Sequence, residues 1–284
     1  MLAGFDDPRR TYGSKELDLP FQRLLKAYRN DDPAPQPQLA LPVHTIEWAA
    51  TSSQVPGATP LASATGDLIT MAFYFLLRVG EYTMPARNRR TRTVQFRCQD
   101  VIFRRNQQVI PHSASLEQLS SADTVTLWLD NQKNGQRGAT LHHTAASGTF
   151  CPVKALARRV KAITHYNMPP DTPLSYVSPG LHVTSTNVVS AVRTAVEASG
   201  LLTQGYRLKQ VGAHSLRASG AMALKLNGYD KTDIMKFGRW SSTTFLTYIH
   251  SQIGALSAGV ANRMSRRIAF FNVSGESLLH APQA

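Results

Sequence analysis

Three short stretches of this sequence carry side chains suited to holding and attacking a phosphate group. In Phe75-Leu76-Leu77-Arg78-Val79-Gly80-Glu81, an arginine directly follows an apolar run, so a buried element rather than a mobile loop is expected to aim it. The planar guanidinium fork matches phosphate oxygens two at a time, and Glu81, three residues on, is placed to orient it. In Gly212-Ala213-His214-Ser215-Leu216-Arg217, a helix start puts His214 and Arg217 at i and i+3 on one face. Both then lie in the first turn, where unbonded amides and the helix dipole favour an anion. In the stretch from Phe237-Gly238-Arg239-Trp240 to Thr247-Tyr248-Ile249-His250, a glycine-bearing turn leads through Trp240 into a helix that presents Tyr248. Taken singly, each pattern is ordinary. Arg–Glu pairs end many helices, HxxR is common, and a lone Trp or Tyr is more often a packing residue.

The elements that must position these groups follow from the apolar pattern. Asp18-Leu19-Pro20 caps a short helix through Tyr28, and the closely spaced prolines of Asp31-Asp32-Pro33-Ala34-Pro35-Gln36-Pro37 read as an extended linker. The pattern predicts a buried helix over Ala64 to Leu77, ended by Gly80. Strands are predicted at Thr93 to Arg97, Asp100 to Arg104 and Thr124 to Leu129. Asn134-Gly135 is a hairpin turn signal, with Gly138 to His143 as the return strand. Helices are then expected from Cys151 to about Thr164, Thr186 to Gly200, Ser215 to Leu226, Asp230 to Phe237, Ser242 to His250 and Leu256 to Ile268. The fold class is mainly α with a small antiparallel β-sheet (α+β). Residues 1–38 are expected to be a helix and Pro-rich linker, a remnant of a further helical domain, and 39–284 the main domain.

Composition narrows the partner. The 284 residues carry a formal charge of +13, which fits a polyanion such as nucleic acid. A membrane is not expected, because the longest apolar run, around Leu68 to Leu77, falls well short of the ~20 residues a span needs. Met1-Leu2-Ala3-Gly4-Phe5-Asp6-Asp7 has no basic region followed by an apolar one, so no secretory signal is expected. Cys98 and Cys151 form neither a disulfide framework nor a zinc pattern, and the chain reads as intracellular. No cofactor and no metal are expected. His142-His143 read as strand residues, since no carboxylate or cysteine spacing accompanies them.

Taken in order, the arginine box, the HxxR box, the glycine–tryptophan turn and the following tyrosine resemble the tyrosine recombinase (phage integrase) family, over about Leu39 to Ile268. The wording Gly238-Arg239-Trp240-Ser241-Ser242 looks most like recombinases of eukaryotic mobile elements. The resemblance implies a catalytic domain of the tyrosine recombinase and type IB topoisomerase kind. Arg78 and Arg217 would clamp the scissile phosphate, Glu81 would support Arg78, and His214 would contact phosphate and manage protons. Trp240 would take the place that holds His in many members, donating from its indole N–H. Lys133, in Asn131-Gln132-Lys133-Asn134-Gly135, matches the hairpin lysine that acts as general acid, and Tyr248 matches the nucleophile. One departure is the spacing of 248 − 240 = 8 residues from Trp240 to Tyr248, one fewer than usual in bacterial and phage members. The phosphotyrosine conserves bond energy, so no ATP is required, consistent with the lack of a GxxxxGK[ST] loop.

Arg87, Arg89, Arg90 and Arg92, continued by Arg97, Arg104 and Arg105, form a basic run expected to contact the DNA backbone without reading sequence. Beyond Tyr248, Ile253, Leu256, Val260, Met264 and Ile268 recur at helical spacing. This reads either as a helix on its own core or, by the resemblance, as one that docks into a neighbour within a homo-tetramer on double-stranded DNA. The nucleus is the expected compartment for a eukaryotic member, and otherwise the cytoplasm. Two other readings stay open at this stage: a decayed or domesticated DNA-binding protein of the same fold, and type IB topoisomerase-like relaxation.

Overall fold

The computed structural model describes residues 9, 11, 16–31, 38–85, 93–129, 138–243 and 246. Tyr248, Lys133, Arg87, Arg89, Arg90, Arg92 and the two C-terminal helix expectations from Thr247 onward lie outside the described residues. The chain divides into two compact units, Met1–Pro37 and Gln38–Ala284. In the first, helix α1 spans Leu19–Asp31. It runs past the expected end at Tyr28 into the acidic start of the Pro-rich stretch.

The second unit begins with α2 (Val43–Thr51), which periodicity had not marked, and α3 (Pro60–Tyr74). Thr59 caps α3, its hydroxyl accepting from the Ala62 amide, and Pro60 fills the first turn where no amide hydrogen is needed. Helix α3 is buried almost all round from Ala64 to Phe73, as a central core helix must be. The short α4 (Val79–Tyr82) follows. Gly80 therefore does not end the buried helix but lies inside the next one. The break is at Leu76, a non-glycine residue at φ +49°.

A four-stranded antiparallel sheet comes next, in the order β2-β1-β3-β4, from β1 (Val101–Arg105), β2 (Gln108–Ile110), β3 (Thr124–Leu129) and β4 (Ala139–Thr144). Leu129 pairs with Ala139 and Val125 with His143, so the expected antiparallel pairing of β3 with its return strand is present, while the Asn134-Gly135 turn lies outside the described residues. The expected strand at Thr93 to Arg97 is not. That segment makes one bridge, Arg97 to Pro173, and a proline has no amide to continue a ladder. A short α5 (Leu116–Ser120) joins β2 to β3, capped by Ser115.

The rest is helical around a two-stranded β5 (Tyr176–Ser178) and β6 (Leu181–His182): α6 (Pro152–His165), α7 (Ser185–Ala198), α8 (Ala213–Leu226) and α9 (Lys231–Gly238). One apolar core joins α2, α3, α6, α7 and the inner face of the sheet, with Leu68, Phe103, Leu127, Leu156 and Val192 fully enclosed. Each such side chain contributes roughly 1.5–3 kcal/mol of burial. Helix α8 lies close against the end of α3 at Gly220, where an added Cβ would fall 2.5 Å from the Phe73 carbonyl. That contact carries the HxxR segment to the turn that holds Arg78. No described helix is long and apolar enough to cross a membrane.

Candidate active site

The site is built on the turn that ends α3. Leu76 adopts the left-handed conformation at φ +49°, which costs a non-glycine residue about 1–2 kcal/mol. Its side chain is buried with Ala221 and Ile234, and its carbonyl accepts from two arginines remote in sequence. Arg78 follows in extended conformation as the N-cap of α4. Glu81 reaches back to it with both oxygens. Oε2 accepts the Arg78 backbone amide at 2.8 Å, and Oε1 accepts Nη1 of the Arg78 guanidinium at 3.2 Å. The capping glutamate thus fixes backbone and side chain of the first arginine together.

From α8 come His214 and Arg217. Arg217 is buried; its Nη1 donates to the Leu76 carbonyl at 2.5 Å and its Nη2 to the Gly238 carbonyl. Its guanidinium carbon lies 4.4 Å from the centre of the Trp240 ring, within cation–π range. Trp240 itself packs back over Gly238, where an added Cβ would fall inside the indole. Gly238 is thus required by the tryptophan that follows it. The first-turn amide of His214 donates to the Gln38 side-chain oxygen at 2.9 Å rather than standing open for an anion. The imidazole of His214 titrates below its ordinary value, first through desolvation and then through the positive charges of Arg217 and Arg78. That shared influence places the HxxR box and the Arg78 turn in one electrostatic environment.

Of the predicted residues, Arg78, Glu81, His214, Arg217 and Trp240 therefore converge. The arginine-run members that are described make contacts within the protein. Arg97 is held by both oxygens of Asp100, at 3.1 and 3.0 Å, while Arg104 donates to Thr126 and Arg105 to Ser121. Among the described residues no cluster of three or more His, Cys, Asp or Glu side chains is placed to hold a metal ion.

Neither family models nor curated proteins match this sequence. Solved structures do. The XerH site-specific recombinase bound to palindromic difH substrate, a post-cleavage complex, is 16% identical over 80% of this chain and 54% of its own, with a TM-score of 0.53. The XerH pre-cleavage complex with difH is 14% identical over 88% of this chain and 66% of its own, with a TM-score of 0.52. The chain has the fold of a tyrosine recombinase catalytic domain. It spans only about half to two thirds of the length of these two XerH chains.

Within that fold, the sequence did not reveal the contacts of two residues, His143, which lies in a strand as expected, and Arg239. Nε2 of His143 lies 2.7 Å from the Tyr74 carbonyl and its ring stacks on Phe237 at 5.9 Å, so that β4 ties α3 to α9. Arg239 is buried and paired with Glu81 at 3.0 Å. A signal for Arg239 was in the spacing. It is the residue directly after Gly238, and 248 − 239 = 9 restores the usual interval to Tyr248 that Trp240 misses by one.

Proposed function

We propose that this domain cleaves and rejoins double-stranded DNA through a covalent 3′-phosphotyrosine at Tyr248. The observation that carries the reading is the convergence of Arg78, His214 and Arg217, from segments more than a hundred residues apart, beside one another in a recombinase fold. In the proposed reaction the Tyr248 hydroxyl attacks the scissile phosphorus. A phosphorus–oxygen bond to tyrosine forms as the bond to the 5′ oxygen breaks. A tyrosine hydroxyl near pKa ~10 must lose its proton to attack, and a His214 held neutral by desolvation and by two adjacent guanidinium charges is available to take it. Charge growing on the five-coordinate phosphorane is met by fixed arginines, which need no reorganisation at that moment. Lys133, in the β3–β4 connection, supplies the proton to the leaving 5′ oxygen. The reverse sequence with a second 5′ hydroxyl rejoins the strands.

The XerH structures were obtained on difH DNA, one of them after cleavage, which supports duplex DNA as the substrate here. Arg87, Arg89, Arg90 and Arg92 are assigned to backbone contact, and assembly into a tetramer on DNA belongs to the same proposal. The decisive experiment incubates wild type and Tyr248→Phe with supercoiled plasmid and quenches with denaturant. The expected result is protein covalently joined to DNA for wild type only, with DNA binding retained by the variant. An undiminished adduct from Tyr248→Phe overturns the assignment. An adduct from neither, with salt-sensitive binding intact, leaves two readings: a strict requirement for a particular DNA site, or a DNA-binding protein that no longer cuts.

A further inference from the structure

Arg239 makes an ion pair that an isolated Arg78–Glu81 pair has no need of. It closes α9 at φ +54°, a position that helices commonly give to glycine because a side chain there is strained. Its own side chain is 4% exposed and that of Glu81 is 3% exposed, whereas Arg78 is 22% exposed. Of the two guanidiniums on this carboxylate, only that of Arg78 reaches the surface. Glu81 Oε1 accepts Arg78 Nη1 at 3.2 Å and Arg239 Nη1 at 3.4 Å; Oε2 accepts the Arg78 amide at 2.8 Å and Arg239 Nη2 at 3.0 Å. Nη2 of Arg239 also donates to the Leu76 carbonyl at 3.3 Å, the same oxygen that Arg217 uses.

The charge balance gives this arrangement its meaning. Glu81 alone with Arg78 would cancel the charge that an incoming phosphate is to meet. With Arg239 on the same carboxylate, the three groups carry one net positive charge, and Arg217 beside them adds another. The strained backbone and the buried Nε of Arg239, which has no hydrogen-bond partner among the described residues, are tolerated for a side chain whose polar contacts go to Glu81 and Leu76. We propose that Arg239 is a positioning residue of the phosphate site, a third arginine that offsets Glu81 from behind so that Arg78 stays oriented yet un-neutralised toward an oxyanion. The proposal rests on the functional reading above only in taking that oxyanion to be a DNA phosphate.

The test uses the full chain and orthovanadate, a tetrahedral oxyanion, with binding read from the shift in melting temperature across a vanadate titration. Arg239→Gln is expected to raise the vanadate Kd about tenfold or more, since the unbalanced carboxylate now acts against Arg78. Adding Glu81→Gln to that variant removes the carboxylate and is expected to bring the Kd back to within about threefold of wild type. Merely structural damage by Arg239→Gln would not be repaired in this way. Arg239→Lys, which keeps the charge, is expected to bind vanadate nearly as wild type does. An unchanged Kd in Arg239→Gln, a double variant as weak as the single one, or no vanadate shift in wild type overturns the proposal. Should Arg239→Gln fail to fold, Glu81→Gln decides: vanadate binding kept or tightened supports the proposal, and weakened binding overturns it. Plasmid adduct formation is measured in parallel. Vanadate binding with rescue but no adduct leaves this inference standing while strand transfer fails; an adduct without rescue does the opposite.

Discussion

The backbone carbonyl of Leu76 accepts a hydrogen bond from Arg217, 141 residues later in the chain, at 2.5 Å. The left-handed turn at Leu76 presents this oxygen, and the same turn delivers Arg78 two residues on. The HxxR arginine is thereby measured against the first arginine through one peptide unit. A lysine at this position would have a single ammonium for the work of a planar fork that spans the Leu76 and Gly238 carbonyls while lying over Trp240. Arg217→Lys is expected to slow covalent adduct formation on supercoiled plasmid by about a hundredfold or more in a single turnover, with low-salt DNA binding little changed. A rate within about threefold of wild type would show that charge alone suffices there.

Gly238 and Trp240 make a second such dependence, this time through space that is already filled. Because a Cβ at Gly238 would overlap the indole, Gly238→Ala must move Trp240 off the Arg217 guanidinium or bend the end of α9. Overpacking of this kind costs ~1–3 kcal/mol, or a drop of roughly 3–10 °C in a domain of this size. Differential scanning calorimetry of Gly238→Ala should show that drop. Replacing Trp240 by Leu in the same chain should recover part of it, whereas Trp240→Leu alone should lower stability.

How far the sequence carried the reading depends on where each residue's partners lie. Strand β3 was legible because Val125, Leu127 and Leu129 recur at every second position and all three are buried, although Thr126 between them is buried too and Trp128 alone is exposed. Helix α9 was legible from Asp230, whose side chain accepts the Asp233 amide. The end of α3 was not, because nothing marks a leucine for the left-handed region; its carbonyl is held there by arginines 141 and 163 residues away. Arg78, His214 and Arg217 stood out by chemical type and spacing. Arg239 did not, since an arginine beside a glycine reads as a solvated charge until the carboxylate 158 residues away is brought against it. The β5–β6 pair escaped because strands of three and two residues carry no period.

His143 gives the domain a dependence on acid. Its imidazole is half-buried against Tyr74, Phe75 and Phe237 with Nε2 on the Tyr74 carbonyl, and desolvation, the leading cause, holds its pKa below the ordinary histidine value. A base whose folded pKa is depressed contributes stability that is full above its unfolded value of 6.5 and is lost as pH falls from there toward the folded pKa. His182 and His214 are shifted in the same direction and add to the slope. His143→Gln keeps an amide donor for the Tyr74 carbonyl but cannot titrate. Its melting temperature is therefore expected to fall less steeply between pH 7 and 5.5 than that of wild type, and parallel curves would show that His143 takes no part in the slope.

Asp67 works in the opposite sense over a lower pH range. It lies inside the core on α3, where Oδ1 accepts Nε and Nη2 of Arg158 at 2.8 and 2.6 Å and the Gln54 amide at 3.2 Å. Burial outweighs these partners and raises its pKa from 3.8 to about 6. A carboxyl raised on folding stabilises the folded state most below its unfolded pKa, and that contribution is lost as pH rises through the folded value. The expected signature is a loss of stability between about pH 4 and 6 that runs against the histidine slope above it. Asp67→Asn retains an oxygen for all three donors and removes the titration. It is expected to match wild type to within about 1 kcal/mol at pH 7 and to abolish the decline between pH 4 and 6 in urea unfolding. If the ion pair with Arg158 instead dominates, Asp67→Asn will be destabilised by about 3–5 kcal/mol at pH 7, and the wild-type slope over that range will rise rather than fall.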